Sequence, residues 1–482
     1  MTADLRAITP ELLLGVLALV LVMIDLLTDP GSKRIVAWVG VIGLAIALFP
    51  SAALLSGPSR LVFAETYAVD PFAAFFKLVA ITSGILVLLA AMEFYRGQST
   101  HYEGEVYSLV VFMVLSLVLL SAAVDLILLF LAFEFLSLVS YVLAGSLKGD
   151  RKSNEAGVKY FFYGAAASAA MLYGFTFLYG VSGTTNLYHL MQHVAFLSPG
   201  FLGLAVMLML AGFGFKISLV PFHQWTPDVY EGAPTPIAAF LSVGSKAAAL
   251  AALLRVLYVA VPPQGWVTIL AGLAAISMTL GNLVALSQQN IKRMLAYSSI
   301  AHAGYMLIGV VAVAASPTLV GSGVGALLFY LLSYTFTNIG AFSVATIVGR
   351  GLGSDAIPDY AGLSRRAPLS AFAMAVFMLS LTGIPPTALF FGKFLLFGAA
   401  INSGLLWLAI VGILNSVVSL FYYVGVIRAM YLMPAPEGAP VLHERGVARA
   451  LLAVTALGTI VIGIFPQPFI RVVNAASIIG RF

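Results

Sequence analysis

The amino-acid sequence predicts an all-α polytopic membrane protein with about 14 transmembrane helices. Ten of these form two inverted five-helix repeats, each with one discontinuous helix. The first observation is composition, because 61% of the 482 residues are apolar and 9% are charged, whereas soluble domains carry about 25% charge. The second is that apolar stretches of about 20 residues, long enough to cross about 30 Å of hydrocarbon, recur fourteen times. The third is that prolines interrupt two of these stretches close to a lysine.

The predicted spans follow one another with short connectors. The boundary between the fourth and fifth is the least distinct, because only residues 121–125 interrupt the apolar run. The first span lacks a basic leader and a small-residue cleavage site, so we interpret it as a retained helix. The longest connectors, 349–368 and 432–447, are too short for a soluble catalytic module. The predicted extents are 8–28, 35–55, 72–94, 106–123, 124–147, 157–181, 201–230, 234–260, 266–287, 294–315, 319–348, 369–401, 405–431 and 448–470.

Composition also restricts the chemistry that this chain performs. With no cysteine, it offers no thiolate ligands for zinc or iron-sulfur clusters, no disulfide and no cysteine nucleophile. Its six histidines form no HExxH-type pair with an acid. The net charge of +5 has a topological explanation, given next, and does not indicate nucleic acid. We therefore expect no metal, no cofactor within this chain and no nucleic-acid partner.

Basic residues are distributed unequally between the two sides of the predicted membrane. If the N-terminus faces outward, fourteen Lys and Arg residues fall on the inner connectors and five on the outer side. Cytoplasmic loops carry such an excess, so both termini are predicted to face away from the cytoplasm. The five outer cations are Arg6, Arg60, Arg255, Arg471 and Arg481.

Five lysines remain within the apolar stretches. Lys77 and Lys159 lie near span ends, from which their amines are expected to reach the membrane interface. Lys216, Lys246 and Lys393 lie well inside, where a lysine costs about 2.5 to 3.5 kcal/mol unless water or a partner compensates. Glu134 is interpreted as the only acid deep within a span. Any one of these charges alone can be structural, but together they favour a charge pathway.

The histidines divide into two groups. His223 and His302 lie at or within spans, where an imidazole is either an ordinary hydrogen-bonded residue or, near other titratable groups, a proton shuttle. His189 and His193 fall in the outward connector before the seventh span, where we predict ordinary loop residues.

Prolines are expected to break the seventh and twelfth helices. Pro221 follows Lys216 by five residues, and Pro385 and Pro386 precede Lys393. A proline removes a backbone donor, and a break within the membrane requires protein or water to satisfy the freed carbonyls. A purely structural kink is the alternative for each helix.

The two breaks suggest an internal repeat. Pro221 and Pro385 are 164 residues apart, as are Tyr141-x-Leu143-x-Gly145 and Tyr305-x-Leu307-x-Gly309. The copies lie five spans apart, which makes the second inverted, unless these few matches are coincidental. The predicted units are 1–105 with three N-terminal helices, 106–262 and 263–433 as the repeats, and 434–482 with the last helix.

Several motifs then resemble one family. They are FHQWTPDVYEGAPTP at 222–236, FLSVGSKAA around Lys246, NEAGVKY at 154–160 and NIKRMLAYSS at 290–299. Together they resemble the antiporter-like, proton-pumping subunits of bacterial NADH-quinone oxidoreductase (respiratory complex I), and most of all its N-type members. The resemblance covers essentially the whole chain, and the long motif is highly specific.

The resemblance implies roles for the buried residues. It implies that Glu134 pairs with Lys216, that Lys246 is the central relay and that Lys393 ends the second half-channel. His223 and Lys159 would extend the polar axis, and His302 is a weaker candidate for linking its halves.

The resemblance also implies a setting for the chain. The partners would be other membrane-arm subunits, including related antiporter-like ones, in the bacterial cytoplasmic membrane, and the chain would not form a homo-oligomer. NADH, FMN, iron-sulfur clusters and quinone would belong to partner subunits, whose electron transfer would drive proton movement here.

Three alternatives are considered. A subunit of a multi-subunit sodium/proton antiporter shares the helix core and would work without NADH. An independent solute transporter would need a polar substrate pocket that the sequence does not show. A passive membrane spacer would tolerate apolar residues at Glu134, Lys216, Lys246 and Lys393.

Overall fold

The computed structural model describes residues 2–96, 102–194, 197–263, 266–315, 320–442, 444, 446–477 and 479, so the predicted inner and outer cations Arg445 and Arg481 lie outside them. Within those ranges, thirteen helices are long and apolar enough to cross a membrane, and two shorter apolar helices together make one more crossing. The predicted fold class is therefore confirmed. The chain is a multi-pass membrane protein.

The spans are numbered in chain order, and two of them are split. Their bounds are span 1 Thr9–Leu27, span 2 Arg34–Ala53, span 3 Pro71–Phe94, span 4 Glu103–Ala122, span 5 Leu126–Ala144, span 6 Arg151–Ser182, span 7a Pro199–Ile217, span 7b Trp225–Gly232, span 8 Thr235–Ala260, span 9 Val267–Ala285, span 10 Ile291–Ala315, span 11 Val320–Leu352, span 12a Pro368–Thr382, span 12b Ala388–Asn402, span 13 Leu406–Leu432 and span 14 Gly446–Ile464.

Smaller elements lie at the ends of the spans. A two-stranded antiparallel hairpin joins spans 2 and 3, with β1 at Arg60–Val62 and β2 at Tyr67–Val69. Short helices are Thr2–Ala7, Leu187–Val194 between spans 6 and 7a, Leu363–Arg366 before span 12a, and Pro466–Ala476 after span 14. Single 3-10 turns occupy Pro30–Ser32, Leu54–Ser56 and Ile357–Tyr360.

Acidic caps determine where several spans begin. The first N–H groups of a helix lack partners within the helix, and a carboxylate accepts from them favourably. Asp70 accepts from Ala73 N at 2.7 Å, and Asp125 accepts from the first turn of span 5. Asp125 is thus what separates spans 4 and 5, at the boundary that the sequence marked least clearly.

Spans 8, 10 and 11 form the centre of the molecule. They are almost entirely buried, whereas only about a third of spans 1, 2, 6 and 13 is buried. Large apolar side chains such as Phe49, Leu131 and Phe421 are therefore exposed on the outer spans, as expected where lipid or another membrane subunit surrounds them.

The predicted breaks in spans 7 and 12 share one backbone geometry. Span 7a ends at Ser218, with φ of 68°, and Leu219 N donates to Gly214 O at 2.8 Å. Span 12a ends at Gly383, with φ of 91°, and Ile384 N donates to Leu379 O at 3.0 Å. These features are 165 residues apart.

The repeat register at the breaks therefore corrects the sequence alignment by one residue. Measured from the left-handed residues Ser218 and Gly383, the counterpart of Pro221 is Pro386 and not Pro385. The two prolines end the same kind of break, and their preceding peptide bonds are both cis. One extra residue in span 12 is sufficient to account for the difference between 164 and 165.

Two cations lie deeper than predicted. Lys77 is buried and its Nζ lies 2.6 Å from Oε1 of Glu11, so it does not reach the interface, and Glu134 is not the only buried acid. Arg255, predicted on the outer side, is also buried and bonds both oxygens of Asp70 at 2.7 and 3.0 Å. Both predictions were wrong because a neighbouring span supplies a carboxylate, which removes the need to reach water.

Ion pairs at both ends of span 3 connect it to the two predicted repeats. Asp70, just before its first turn, pairs with Arg255 of span 8. Glu93, in its last turn, pairs with Arg350 of span 11 at 2.9 Å. Span 3 therefore braces one helix of each repeat at opposite faces of the membrane.

We expect the Arg255→Ala substitution to destabilise the protein by about 3 to 5 kcal/mol, because it leaves the buried charge of Asp70 unpaired. The melting temperature of the solubilised assembly should fall accordingly. The matched control is Arg60→Ala on the exposed hairpin, which should leave it nearly unchanged. Equal melting temperatures for the two variants would contradict the structural role of this pair.

Candidate functional site

Lys216 lies in the last turn of span 7a, directly before the break, and is fully buried. Its Nζ donates to the hydroxyl of Tyr160 at 3.3 Å. Four aromatic rings also surround this amine at 5.0 to 5.7 Å from their centroids. The negative faces of these rings favour an ammonium. The cage therefore holds the charge without a closed ion pair. Its rings belong to Phe133, Tyr141, Tyr160 and Phe215.

Glu134 acts on Lys216 electrostatically but does not touch it. Among the described residues, no ion pair within 4 Å joins it to a cation, and its buried Oε1 has no hydrogen-bond partner. The cage rings of Phe133 and Tyr141, from the same span, are turned toward the amine instead. The direct pair that the resemblance implied is therefore absent in this conformation, and an electrostatic interaction takes its place.

Lys246 lies near the middle of span 8 and is fully buried. It follows a π-helical segment, Leu241–Ser245, a local distortion that is common at functional sites. Its Nζ donates to the carbonyl of Ser299 at 2.7 Å and to the hydroxyl at 2.5 Å. Only neutral oxygens of span 10 hold this amine, and the same hydroxyl accepts from Tyr334 at 3.2 Å.

His302 lies one turn beyond Ser299 on span 10 and is buried. Its Nδ1 is 2.5 Å from the hydroxyl of Tyr330, and its Nε2 is 3.2 Å from that of Tyr423. The charges of Lys246 and Lys393 both act on the ring. The sequence gave His302 a weak role, whereas the structure places it between two of the three central lysines.

Lys393 lies in span 12b and reaches back across the break. Its Nζ donates to the carbonyls of Leu381 at 3.0 Å and Thr382 at 2.8 Å, the last residues of span 12a. The C-terminal end of a helix carries partial negative charge, so it stabilises a cation there. The amine also lies 4.8 Å from the ring centroid of Tyr305. A cavity of about 320 Å³ at the break is lined in part by Lys393, Gly383 and Ser416.

Lys159 and His223 lie away from these contacts. Lys159 is partly exposed, and it pairs with Asp228 at 2.6 Å and with Glu155 at 2.7 Å. This agrees with the predicted position at the interface. Arg293 bonds the same Asp228 at 2.7 Å, so Lys159 belongs to an ion cluster at the end of the helices. His223 lies within the break of span 7 and is half-buried.

A polar cavity of about 380 Å³ lies near this cluster. It opens on the face that the sequence predicts to be cytoplasmic, where connectors of both predicted repeats meet. Its charged lining includes acids and bases in equal number: Asp150, Lys152, Glu231, Lys292, Arg350 and Asp355.

Sequence analysis missed the hydroxyl groups that separate the central lysines. Ser299, Tyr330, Tyr334 and Tyr423 are buried and bond to Lys246, to His302 or to one another. A signal was present for two of them, because Tyr330 and Tyr334 are four residues apart in a span that continues with Thr335, Thr337 and Asn338. That spacing places them on one helix face. Tyr423 carried no such signal.

Comparison with known proteins identifies relatives of the whole chain. A family profile described as NADH:quinone oxidoreductase/Mrp antiporter, TM, matches residues 123–419. The NADH-quinone oxidoreductase subunit N of Trichlorobacter lovleyi is 44% identical, over 98% of this chain and 97% of that protein.

Solved structures share the fold. A chain of respiratory complex I from Thermus thermophilus with bound aureothin is 35% identical, with a TM-score of 0.81 over 96% of this chain and 99% of that one. A chain of the Mrp complex from Dietzia sp. DQ12-45-1b has a TM-score of 0.87 over 98% and 97%, but at 20% identity it shows the fold alone.

We expect Ser299→Ala to destabilise the chain more than Ser298→Ala, although the two serines are adjacent and both buried. The first substitution removes a hydrogen bond from a charged amine, worth about 1.5 to 3 kcal/mol, and the second removes a neutral bond to Tyr423, worth about 1 kcal/mol. Melting temperatures of the two solubilised variants test this. The reverse order would mean that the Ser299 hydroxyl does not hold Lys246.

Proposed function

Because this chain belongs to the NADH-quinone oxidoreductase subunit N family, we propose that it moves protons across the cytoplasmic membrane as one subunit of that complex. Electron transfer from NADH to quinone in partner subunits supplies the energy. The supporting observation is that Lys216, Lys246 and Lys393 are buried along one polar axis and are held by rings, hydroxyls and carbonyls. None of the three is fixed by a carboxylate within ion-pair distance in the described structure.

The first half of the proposed path runs from Lys216 to Lys246. Tyr160, which accepts from Lys216, lies close to Ser245, the residue before Lys246. Tyr230 lies close to Ser299, which binds Lys246. Hydroxyl groups both donate and accept hydrogen bonds, so these side chains and intervening water provide a route for a proton.

The second half of the proposed path runs from Lys246 to Lys393. Ser299 and Tyr334 connect Lys246 to the ring of His302, whose centroid is 5.0 Å from that of Tyr334. The other face of the path continues through Tyr305, which lies beside both His302 and Lys393. His302 acts as the shuttle between the halves, and release follows through the break of span 12.

The proposed control of the path is electrostatic. Glu134 lies on the face of span 5 that also exposes Leu131 and Leu138. An ionisable group on that face is costly next to lipid, which favours coverage by a neighbouring membrane-arm subunit. A charge change in that neighbour would alter the field of Glu134 at Lys216 and so alter the proton affinity of the caged amine.

The energy for pumping must come from outside this chain. Each proton moved against the membrane potential requires about 2.3 kcal/mol per 100 mV. The chain has no cysteine for an iron-sulfur cluster, so we assign the flavin, the clusters and the reactions of NADH and quinone to partner subunits. The positive-inside bias places both termini of this chain on the periplasmic side.

We expect Lys216→Ala to lower NADH-driven quinone reduction and proton uptake by inverted membrane vesicles together, by roughly tenfold to a hundredfold, while the complex still assembles. A positioned proton-transfer group contributes about 10²-fold or more when fully engaged. The matched control is Lys148→Ala in an exposed connector, which should retain both activities.

Two other results would decide against this proposal. Wild-type electron transfer and pumping in an assembled Lys216→Ala complex would make this lysine structural, as a passive spacer predicts. Sodium-dependent exchange that persists without NADH would instead favour the antiporter alternative.

We expect His302→Gln to reduce proton uptake strongly and Tyr330→Phe to reduce it less, because glutamine cannot shuttle a proton whereas Tyr330 only orients the imidazole. The ratio of protons pumped to quinone reduced should be measured for both variants. Tyr423→Phe, which removes the longer of the two hydroxyl contacts, is the comparison. Unchanged pumping in His302→Gln would remove His302 from the path.

A further inference from the structure

Two histidines that the mechanism does not use lie together on the outer connector between spans 6 and 7a. His189 and His193 are four residues apart in the helix Leu187–Val194, and both are exposed. Leu187, Leu190 and Val194 form the buried face of this helix, so the two imidazoles share the opposite face. This connector lies at the opposite end of the helices from the ion cluster of Lys159 and Asp228.

A carboxylate from another part of the chain approaches this pair. Oε2 of Glu65, at the tip of the hairpin, lies 3.6 Å from Nε2 of His189. Nδ1 of His193 lies 3.3 Å from the backbone carbonyl of His189, so the ring of His193 folds back toward the preceding turn. The three side chains therefore follow one another across the surface, with His189 in the middle.

Asn186 fixes the backbones that carry these side chains. Its Oδ1 accepts from the N–H groups of Tyr188 at 2.9 Å and His189 at 3.4 Å, which caps the helix. Its Nδ2 donates to the carbonyl of Glu65 at 2.8 Å. One side chain thus ties the histidine-bearing helix to the hairpin tip, while the ligand side chains themselves stay free to turn in solvent.

We propose that Glu65, His189 and His193 bind a divalent transition-metal ion of the Zn²⁺ type on this surface. Two imidazole nitrogens and one carboxylate oxygen, with water in the fourth position, form a donor set that zinc accepts. The 3.6 Å between His189 and Glu65 is long for a hydrogen bond. It is close to the roughly 3.3 to 3.4 Å between two ligand atoms that lie about 2.0 to 2.1 Å from one tetrahedral ion.

The third ligand completes the site when the metal binds. The described residues contain no group of three such side chains already converging on one point. Rotation of the exposed His193 side chain toward Glu65 and His189 provides the missing ligand without moving the helix. All three side chains lie at the surface, so they exchange hydration for metal without breaking a core contact.

The site is separate from the proposed proton path, since none of its residues belongs to that path. The connector helix packs against Val256–Ala260, the end of span 8. A bound ion would therefore join the hairpin, which precedes span 3, to a connector that covers the end of the span carrying Lys246. Its direct consequence is a cross-link between two outer segments.

The test is zinc binding by the assembled complex in detergent, titrated with zinc chloride and counted by elemental analysis after removal of free metal. The double variant His189→Ala/His193→Ala should bind one zinc per complex fewer than the wild type. Glu65→Gln should keep the stoichiometry but weaken this site about tenfold, the lower range for loss of an interaction that supports a metal site. The matched control is Gln192→Ala on the same exposed turn, which should bind as the wild type does.

Quinone reduction by each variant, measured without zinc, reports whether the complex is intact and is expected to be unchanged. An intact double variant that binds as much zinc, with the same affinity, as the wild type would overturn the proposal. So would equal losses in the double variant and in Gln192→Ala. Neither outcome bears on proton pumping, which the Lys216 and His302 variants test.

Discussion

The energetic cost of a charged side chain in an apolar membrane interior is the constraint on which this structure depends. Each buried cation must find compensation inside the protein, and two different solutions are present. Lys77 and Arg255 have close carboxylate partners, Glu11 and Asp70, on neighbouring segments. Lys216, Lys246 and Lys393 have aromatic rings, hydroxyls and helix-end carbonyls instead. A closed pair holds its charge permanently, whereas neutral partners also tolerate the uncharged amine. The second group is therefore suited to gaining and losing protons, and the first group to bracing.

The helix breaks supply part of this compensation. A span that unwinds inside the membrane leaves carbonyls without helical partners, which is costly unless another group uses them. In span 12 the amine of Lys393 accepts this role by bonding Leu381 and Thr382. In span 7 the Trp225 indole donates to the carbonyl of Phe215 at 3.0 Å, beside the cage of Lys216. The same backbone device thus serves a lysine at one break and an aromatic anchor at the other. This difference explains how two similar half-structures can perform different steps.

The helix frame is more widely shared than the chemistry that it carries. A chain of the Mrp complex has the same fold at 20% identity, so the fold by itself does not select between exchange and redox-driven pumping. Selection must come from the charges along the axis and from the surfaces that meet neighbouring subunits. Glu134 combines the two, since it acts on Lys216 from a face of span 5 that also exposes large apolar side chains. Span 3, tied at its two ends to spans 8 and 11, keeps the frame in place around this axis.

The sequence by itself determined the membrane class, the fourteen spans, the two broken helices, the family and the three central lysines. These follow from local properties: hydropathy over about 20 residues, proline chemistry and the cost of a lysine in an apolar run. Only the tertiary structure decided which partner each charge has. Lys77 and Arg255 were misplaced because Glu11 and Asp70 are 66 and 185 residues away in sequence. The gap between Glu134 and Lys216, the position of His302 and the roles of Ser299 and Tyr423 were likewise invisible, since contacts between spans depend on how whole helices pack. A periodic pattern reveals the face of a helix, but not which helix lies against it.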